Sequence, residues 1–123
     1  MLENLSPARV FRFFEELSAI PRGSGNTDAV SDYCVRFAKK RGLDCVKDQL
    51  NNVIIRKPAS KGCEGHDGVI LQGHLDMVCE KTADSGHDFT RDGLKLRVDG
   101  DLLSAEGTTL GADDGIAVAM ALA

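Results

Sequence analysis

Apolar positions recur at three- and four-residue spacing over residues 10–38, shift to a spacing of two, and close in an unbroken apolar run. Val10, Phe13, Phe14, Leu17 and Ile20 form one stripe of a helix reaching about Ala19, with Arg9, Arg12, Glu15 and Glu16 on its other faces. Ser6 followed by Pro7 marks its start, because the hydroxyl can cap a free amide and the ring is pre-set for the first helical position. After a break at residues 21–26, a second helix from Asn26 or Thr27 to Arg41 buries Val30, Tyr33, Cys34, Phe37 and Ala38. Gly42 stands where a left-handed cap closes it.

From residue 43 the period shortens. Residues 43–50 read as a strand, Asn51-Asn52 as a turn, and Val53-Ile54-Ile55-Arg56 as a second strand ended by Pro58, which together make a hairpin. Beyond a polar loop at residues 61–67, Val69-Ile70-Leu71-Gln72 is apolar enough for a central strand covered on both faces, delivering His74 at its carboxyl end. A polar stretch over residues 80–91 follows. Residues 94–98 and 102–105 then flank Asp99-Gly100-Asp101, a strong hairpin signal. Residues 106–111 read as a loop, and Ala112 or Asp113 starts a final helix, apolar all round, that runs to Ala123. Such a helix needs cover on every side. The elements that would supply it are expected beyond residue 123, so residues 1–123 read as the amino-terminal portion of a longer domain.

Helix, helix, hairpin, buried strand, hairpin and buried helix amount to an α/β fold, a mixed β-sheet with flanking helices. In such folds sites gather beyond the carboxyl ends of strands, the edge on which His74 and Asp113 both fall.

Composition narrows the function classes. The 123 residues are 42% hydrophobic and 28% charged, the makeup of a globular domain with one core. A net charge of -4 gives no reason to expect nucleic acid, and Lys39-Lys40-Arg41 lies at a helix end, where cations suit the dipole. No run approaches the ~20 apolar residues that span a bilayer. The start carries no basic segment followed by an apolar stretch, so the expectation is a cytoplasmic protein with no membrane partner. Cys34, Cys45, Cys63 and Cys79 lack Cys-x-x-Cys spacing and read as free thiols in a reducing compartment.

Two short motifs carry candidate chemistry. In Gly73-His74-Leu75-Asp76 the period of two puts the imidazole and the Asp76 carboxylate on one side of an extended chain. One can bind a metal while the other accepts the second ring N–H and fixes its orientation; an ordinary hydrogen-bonded histidine at a strand end fits the same spacing. In Gly111-Ala112-Asp113-Asp114-Gly115 the first carboxylate stands where a helix N-cap would. Two adjacent carboxylates nonetheless repel, and a divalent cation relieves that repulsion. Residues 22–26, Arg-Gly-Ser-Gly-Asn, lack the Lys-Ser/Thr ending of a phosphate loop and read as a turn and helix cap, while His66 and His87 sit in polar loops and read as solvated. No Gly-x-Ser-x-Gly nucleophile elbow occurs.

Ile70-Leu71-Gln72-Gly73-His74-Leu75-Asp76-Met77-Val78 and Gly107-Thr108-Thr109-Leu110-Gly111-Ala112-Asp113-Asp114-Gly115-Ile116-Ala117 together resemble the co-catalytic zinc peptidases that include aminoacylases, carboxypeptidase G, tripeptidase and carnosinase. Ile20-Pro21-Arg22-Gly23-Ser24-Gly25-Asn26 extends the likeness to the subgroup acting on Xaa-His dipeptides. Many members of the wider family carry Lys where Gly115 stands here, and the subgroup shares the Gly.

The resemblance implies the amino-terminal part of a catalytic domain, with a lid or dimerisation domain and the carboxy-terminal half lying beyond residue 123, and a homodimeric full-length protein. It implies two divalent metal ions, zinc before manganese or cobalt. His74 would bind one ion, Asp113 would bridge both, and Asp76 would be the catalytic aspartate that orients His74. The Asp113–Asp114 peptide bond would be cis. The reaction would be hydrolysis of a small peptide, with the general base and the remaining ligands outside this chain, so that residues 1–123 alone bind zinc weakly and cleave nothing. A related tripeptidase or aminoacyl hydrolase, or a non-catalytic α/β binding module, remain the alternatives.

Overall fold

In the computed structural model, which describes residues 2 and 4–123, the first helix, α1, runs Ala8–Ser18 and buries Phe13, Phe14, Leu17 and Ser18. Its N-cap is Pro7, with no side-chain cap hydrogen bond, so Ser6 does not play the capping part its sequence position suggests. Pro7 is extended at φ -76° and ψ 122°, and its carbonyl accepts from the Phe11 amide at 3.2 Å, opening the helical ladder without a hydroxyl. The buried stripe packs on the last helix, α3, Ala112–Leu122, whose Gly115, Val118, Ala119 and Leu122 are buried. Covering an aromatic or leucine side chain of this kind contributes roughly 1.5–3 kcal/mol.

Helix α2, Asp28–Lys40, ends as its glycine predicts. Gly42 has φ 64°, its amide donates to the Lys39 carbonyl, and the Leu43 amide donates to the Ala38 carbonyl, which is the paired C-terminal motif that satisfies orphan carbonyls. Strands β1, Asp44–Lys47, and β2, Val53–Arg56, pair antiparallel with Lys47 opposite Val53. The connection spans residues 48–52, longer than the Asn51-Asn52 turn expected. Asp48 organises it by accepting from the Leu50 amide, the Asn52 amide and the Asn52 side chain at 2.8–2.9 Å. An aspartate that accepts from the amide two residues on mimics a backbone turn and leaves Asn51 free to take φ 68°.

Strands β3, Leu96–Asp99, and β4, Leu102–Ala105, form the second hairpin, with Asp99 opposite Leu102 and Gly100 at φ 58°. Positive φ at the first central residue is what a two-residue loop between twisted strands needs. The α/β character with flanking helices therefore stands, realised as two antiparallel hairpins and an isolated parallel bridge between Gly23 and Met77.

Residues 69–72 are not a strand. Val69, Ile70 and Leu71 are 83%, 89% and 70% exposed, against the expectation of a buried central strand. A strand covered on both faces needs a neighbour at each edge, and each hairpin here pairs only within itself. Two compact units divide the chain: Met1–Val30 with Gln72–Ala123, which holds every candidate site residue, and Ser31–Leu71. All four cysteines are free, as expected. His87, expected in solvent, is half-buried edge-on to Phe89, with centroids 4.5 Å apart.

Candidate metal and catalytic site

The site is assembled from three chain segments of one unit. Residues 22–24 run beside 75–77: the Met77 amide donates to the Arg22 carbonyl at 3.0 Å across the parallel Gly23–Met77 bridge. Residues 80–82 run antiparallel to 107–109, with Thr82 N–H donating to Gly107, Thr109 N–H to Glu80, and the Thr109 hydroxyl to the Val78 carbonyl. Stretches that read as polar loop are thus short ladders. They carry Gly111 back toward the chain that bears His74.

Arg22 joins the two. Only 2% exposed, its guanidinium donates through Nη1 to the Leu75 carbonyl at 3.1 Å and through Nη2 to the Gly111 carbonyl at 2.6 Å. Burial pulls its pKa below the ordinary value, and the charge of Asp76 opposes that shift. The neighbouring glycines leave the room it needs. A Cβ on Gly115 would stand 2.6 Å from Nη2, and one on Gly111, at φ 64°, would stand 2.7 Å from it.

His74, Asp76 and Asp113 come together. His74 Nδ1 lies 3.0 Å from Asp76 Oδ1 and 3.0 Å from the Asp76 carbonyl, while Nε2 lies 2.9 Å from Asp113 Oδ1. The hydrogen bond to Asp113 is the chief reason the imidazole's pKa is raised; slight burial opposes it and Asp76 adds to it. Asp76 is held below the ordinary carboxylate value, first by the Ser24 hydroxyl, against slight burial, and then by His74.

Asp113 does not cap α3. The N-cap is Gly111 in the left-handed region, Asp113 and Asp114 depart from helical φ/ψ, and the peptide bond between them is cis. Their carboxylates diverge: Asp113, 96% exposed, faces the imidazole, and Asp114 Oδ2 accepts from the His74 amide at 3.3 Å. That second contact explains Gly73, where a Cβ would fall 2.9 Å from Asp114 Oδ2.

By donor type the pair suits a divalent cation of the zinc class. Nδ1 is engaged by Asp76, which leaves Nε2 as the coordinating nitrogen beside a carboxylate oxygen. Tetrahedral zinc with bonds near 2.1 Å separates such donors by ~3.4 Å, about half an ångström beyond the 2.9 Å seen. By number the fit is partial. Among the described residues no group of three or more His, Cys, Asp or Glu is disposed to hold a metal ion, whereas a catalytic zinc takes three protein ligands and a water.

Sequence reasoning named His74, Asp76 and Asp113 as candidates, which the structure brings together, and passed over Arg22 and Ser24, which lie against them. Their signal was present only in the Gly-Ser-rich turn that opens α2.

No protein-family model matches the chain. It is 44% identical over 122 residues to the cytosol non-specific dipeptidase of Escherichia coli (strain K12), a match covering 99% of this chain and 25% of that protein. Among solved structures, aminoacylhistidine dipeptidase from Vibrio alginolyticus agrees with a TM-score of 0.96 at 43% identity, again over 99% of this chain and 25% of that one. The chain spans about a quarter of the length of these relatives, and the homology lies in their amino-terminal domain.

Proposed function

From homology with the amino-terminal domain of two dipeptidases as premise, we propose that residues 1–123 supply part of the metal centre of a dipeptide hydrolase. The observation that carries this reading is the convergence of His74 Nε2 and Asp113 Oδ1 at 2.9 Å, with Asp76 behind the other ring nitrogen. His74 would hold one ion and Asp113 would bridge it to a second. A bound cation of this class polarises the scissile carbonyl and lowers the pKa of a water. Asp76 fixes the imidazole tautomer so that Nε2 presents a lone pair, and raises its basicity. The exposed Asp113 carboxylate leaves the site open to a small peptide. The general base and further ligands belong to the remainder of a longer catalytic domain, together with a lid or dimerisation domain, and the working protein is a cytoplasmic homodimer.

Zinc is the metal this donor set favours, with manganese and cobalt accepting the same types. The substrate class is a dipeptide, and Xaa-His is the narrower reading. The relatives' own names diverge here, one non-specific and one aminoacylhistidine. Hydrolysis of a dipeptide panel by the full-length protein, before and after chelation and zinc return, tests both levels. Chelation is expected to abolish turnover, zinc to restore it, and His74→Ala or Asp113→Ala to block restoration. Turnover indifferent to chelation would overturn the metal reading. Equal rates on dipeptides with and without a carboxy-terminal histidine would reject the narrow specificity alone.

A further inference from the structure

We propose that Ser24 is a positioning residue for this centre, acting on His74 through Asp76. The inference rests on the metal reading above. His74 Nδ1 has two acceptors at the same 3.0 Å, the Asp76 carboxylate and the Asp76 backbone carbonyl. Only the carboxylate delivers a full negative charge to the imidazole, and only if its plane is held toward the ring. Asp76 Oδ1 meets His74, and Oδ2 accepts from the Ser24 hydroxyl at 2.5 Å, so the serine fixes the rotation of the carboxylate.

Ser24 is itself held in place. Gly23 is bridged to Met77, the Asn26 amide donates to the Gly23 carbonyl at 2.8 Å, and a Cβ on Gly23 would fall 2.7 Å from Cys79 Sγ. Gly23 in turn follows the buried Arg22. A hydroxyl on a segment tied down at both sides can orient a partner, whereas one on a free loop follows it. Removing it leaves Asp76 free to turn, and the imidazole then shares its proton between a carboxylate and a carbonyl.

Supporting groups behind a metal-bound histidine typically carry roughly 10- to 100-fold in metal affinity. Ser24 stands one group further back, behind Asp76, so full-length Ser24→Ala is expected to bind zinc about 10-fold more weakly than wild type, the low end of that range, in competition with a chromophoric chelator. The thermal midpoint of its metal-free form should be unchanged, because Ser24 is exposed. Ser24→Thr keeps the hydroxyl and should recover most of the affinity. In metal-free protein the imidazole nitrogen resonances of His74 should change in the Ala variant and not in the Thr variant, which tests the hydrogen-bond chain whether or not zinc is the ligand. Unchanged zinc affinity in Ser24→Ala would overturn the proposal, as would a loss the Thr variant fails to recover. Failure of wild-type protein to bind zinc at all would strike the metal reading instead.

Discussion

Replacing Arg22 by Met keeps most of the side-chain volume and removes every donor. The guanidinium is 2% exposed and serves two buried-side acceptors at short range, the Leu75 carbonyl at 3.1 Å and the Gly111 carbonyl at 2.6 Å. The contact to the Asp76 carbonyl, at 3.5 Å, is too long to count. The Gly111 carbonyl keeps the Gly115 amide at 3.2 Å and loses only a charge-assisted hydrogen bond, roughly 1.5–3 kcal/mol, while the Leu75 carbonyl is left without its donor at a cost of roughly 1–3 kcal/mol. The thioether recovers part of that by filling the space and by ending the burial of a charge, which leaves a net loss of about 1–4 kcal/mol. With an m-value near 2 kcal/mol/M, the urea midpoint should fall by about 0.5–2 M. Arg22→Lys should recover little, since a single ammonium cannot reproduce a planar fork reaching carbonyls on two segments. Equilibrium urea unfolding followed by circular dichroism gives both numbers. A Met variant within about 0.5 kcal/mol of wild type would show that the Leu75 carbonyl finds water, and that Arg22 is not what ties the segments together.

Three further outcomes concern a glycine beside Arg22, the turn built on Asp48 and the buried Cys34 thiol. Gly115→Ala places a Cβ 2.6 Å from the Arg22 guanidinium and 3.3 Å from the Phe14 ring, so it should cost about 1–3 kcal/mol by overpacking, read as a lowered urea midpoint. Asp48 is held below the ordinary carboxylate value first by the hydrogen bonds from Asn52. A depressed folded pKa means its stabilisation is complete above about pH 4 and lost as pH falls through the folded value. The Asn52 amide resonance should titrate below pH 4, and a midpoint at or above the unperturbed value would refute the turn's account. Burial pushes the Cys34 thiol up to about 11, with Cys45 adding a little. At pH 8 only about one such thiol in a thousand is ionised, so thiol reagents should label the exposed Cys63 first and leave Cys34 silent until unfolding, as peptide mapping would read out.

What the sequence disclosed and what it withheld divide along a physical line. Helices α1 and α2 and both hairpins were legible because their causes are local: a buried stripe, Gly42 at a left-handed cap, Gly100 at a positive-φ turn. Residues 69–72 misled because an apolar run reports what a segment wants to bury, and not whether neighbours are present to bury it. The ladders at 80–82 and 107–109 were invisible, since polar residues with Gly and Thr pair through backbone that any sequence possesses. His74, Asp76 and Asp113 emerged from the joint resemblance of two motifs. Arg22 was missed because residues 22–26 read as a turn and helix cap, and its burial is decided by carbonyls 53 and 89 residues away.

The distribution of burial also says where the site's precision resides. The His74–Asp113 contact is open to water, with the carboxylate 96% exposed. An exposed pair of this kind contributes about 0–1 kcal/mol, too little to order two chain segments. The geometry must therefore be imposed from behind, and the groups behind are the tightly packed ones. Arg22 spans the segments, Asp114 grips the His74 amide, and Gly73, Gly111 and Gly115 each sit where a Cβ would collide with one of those two side chains. Glycines in the two motifs thus serve close approach more than flexibility. Exposure of the His74–Asp113 pair and rigidity of its support are complementary: a site proposed to receive a cation and a peptide needs its donor atoms open, so the packed neighbours behind them must hold them in register.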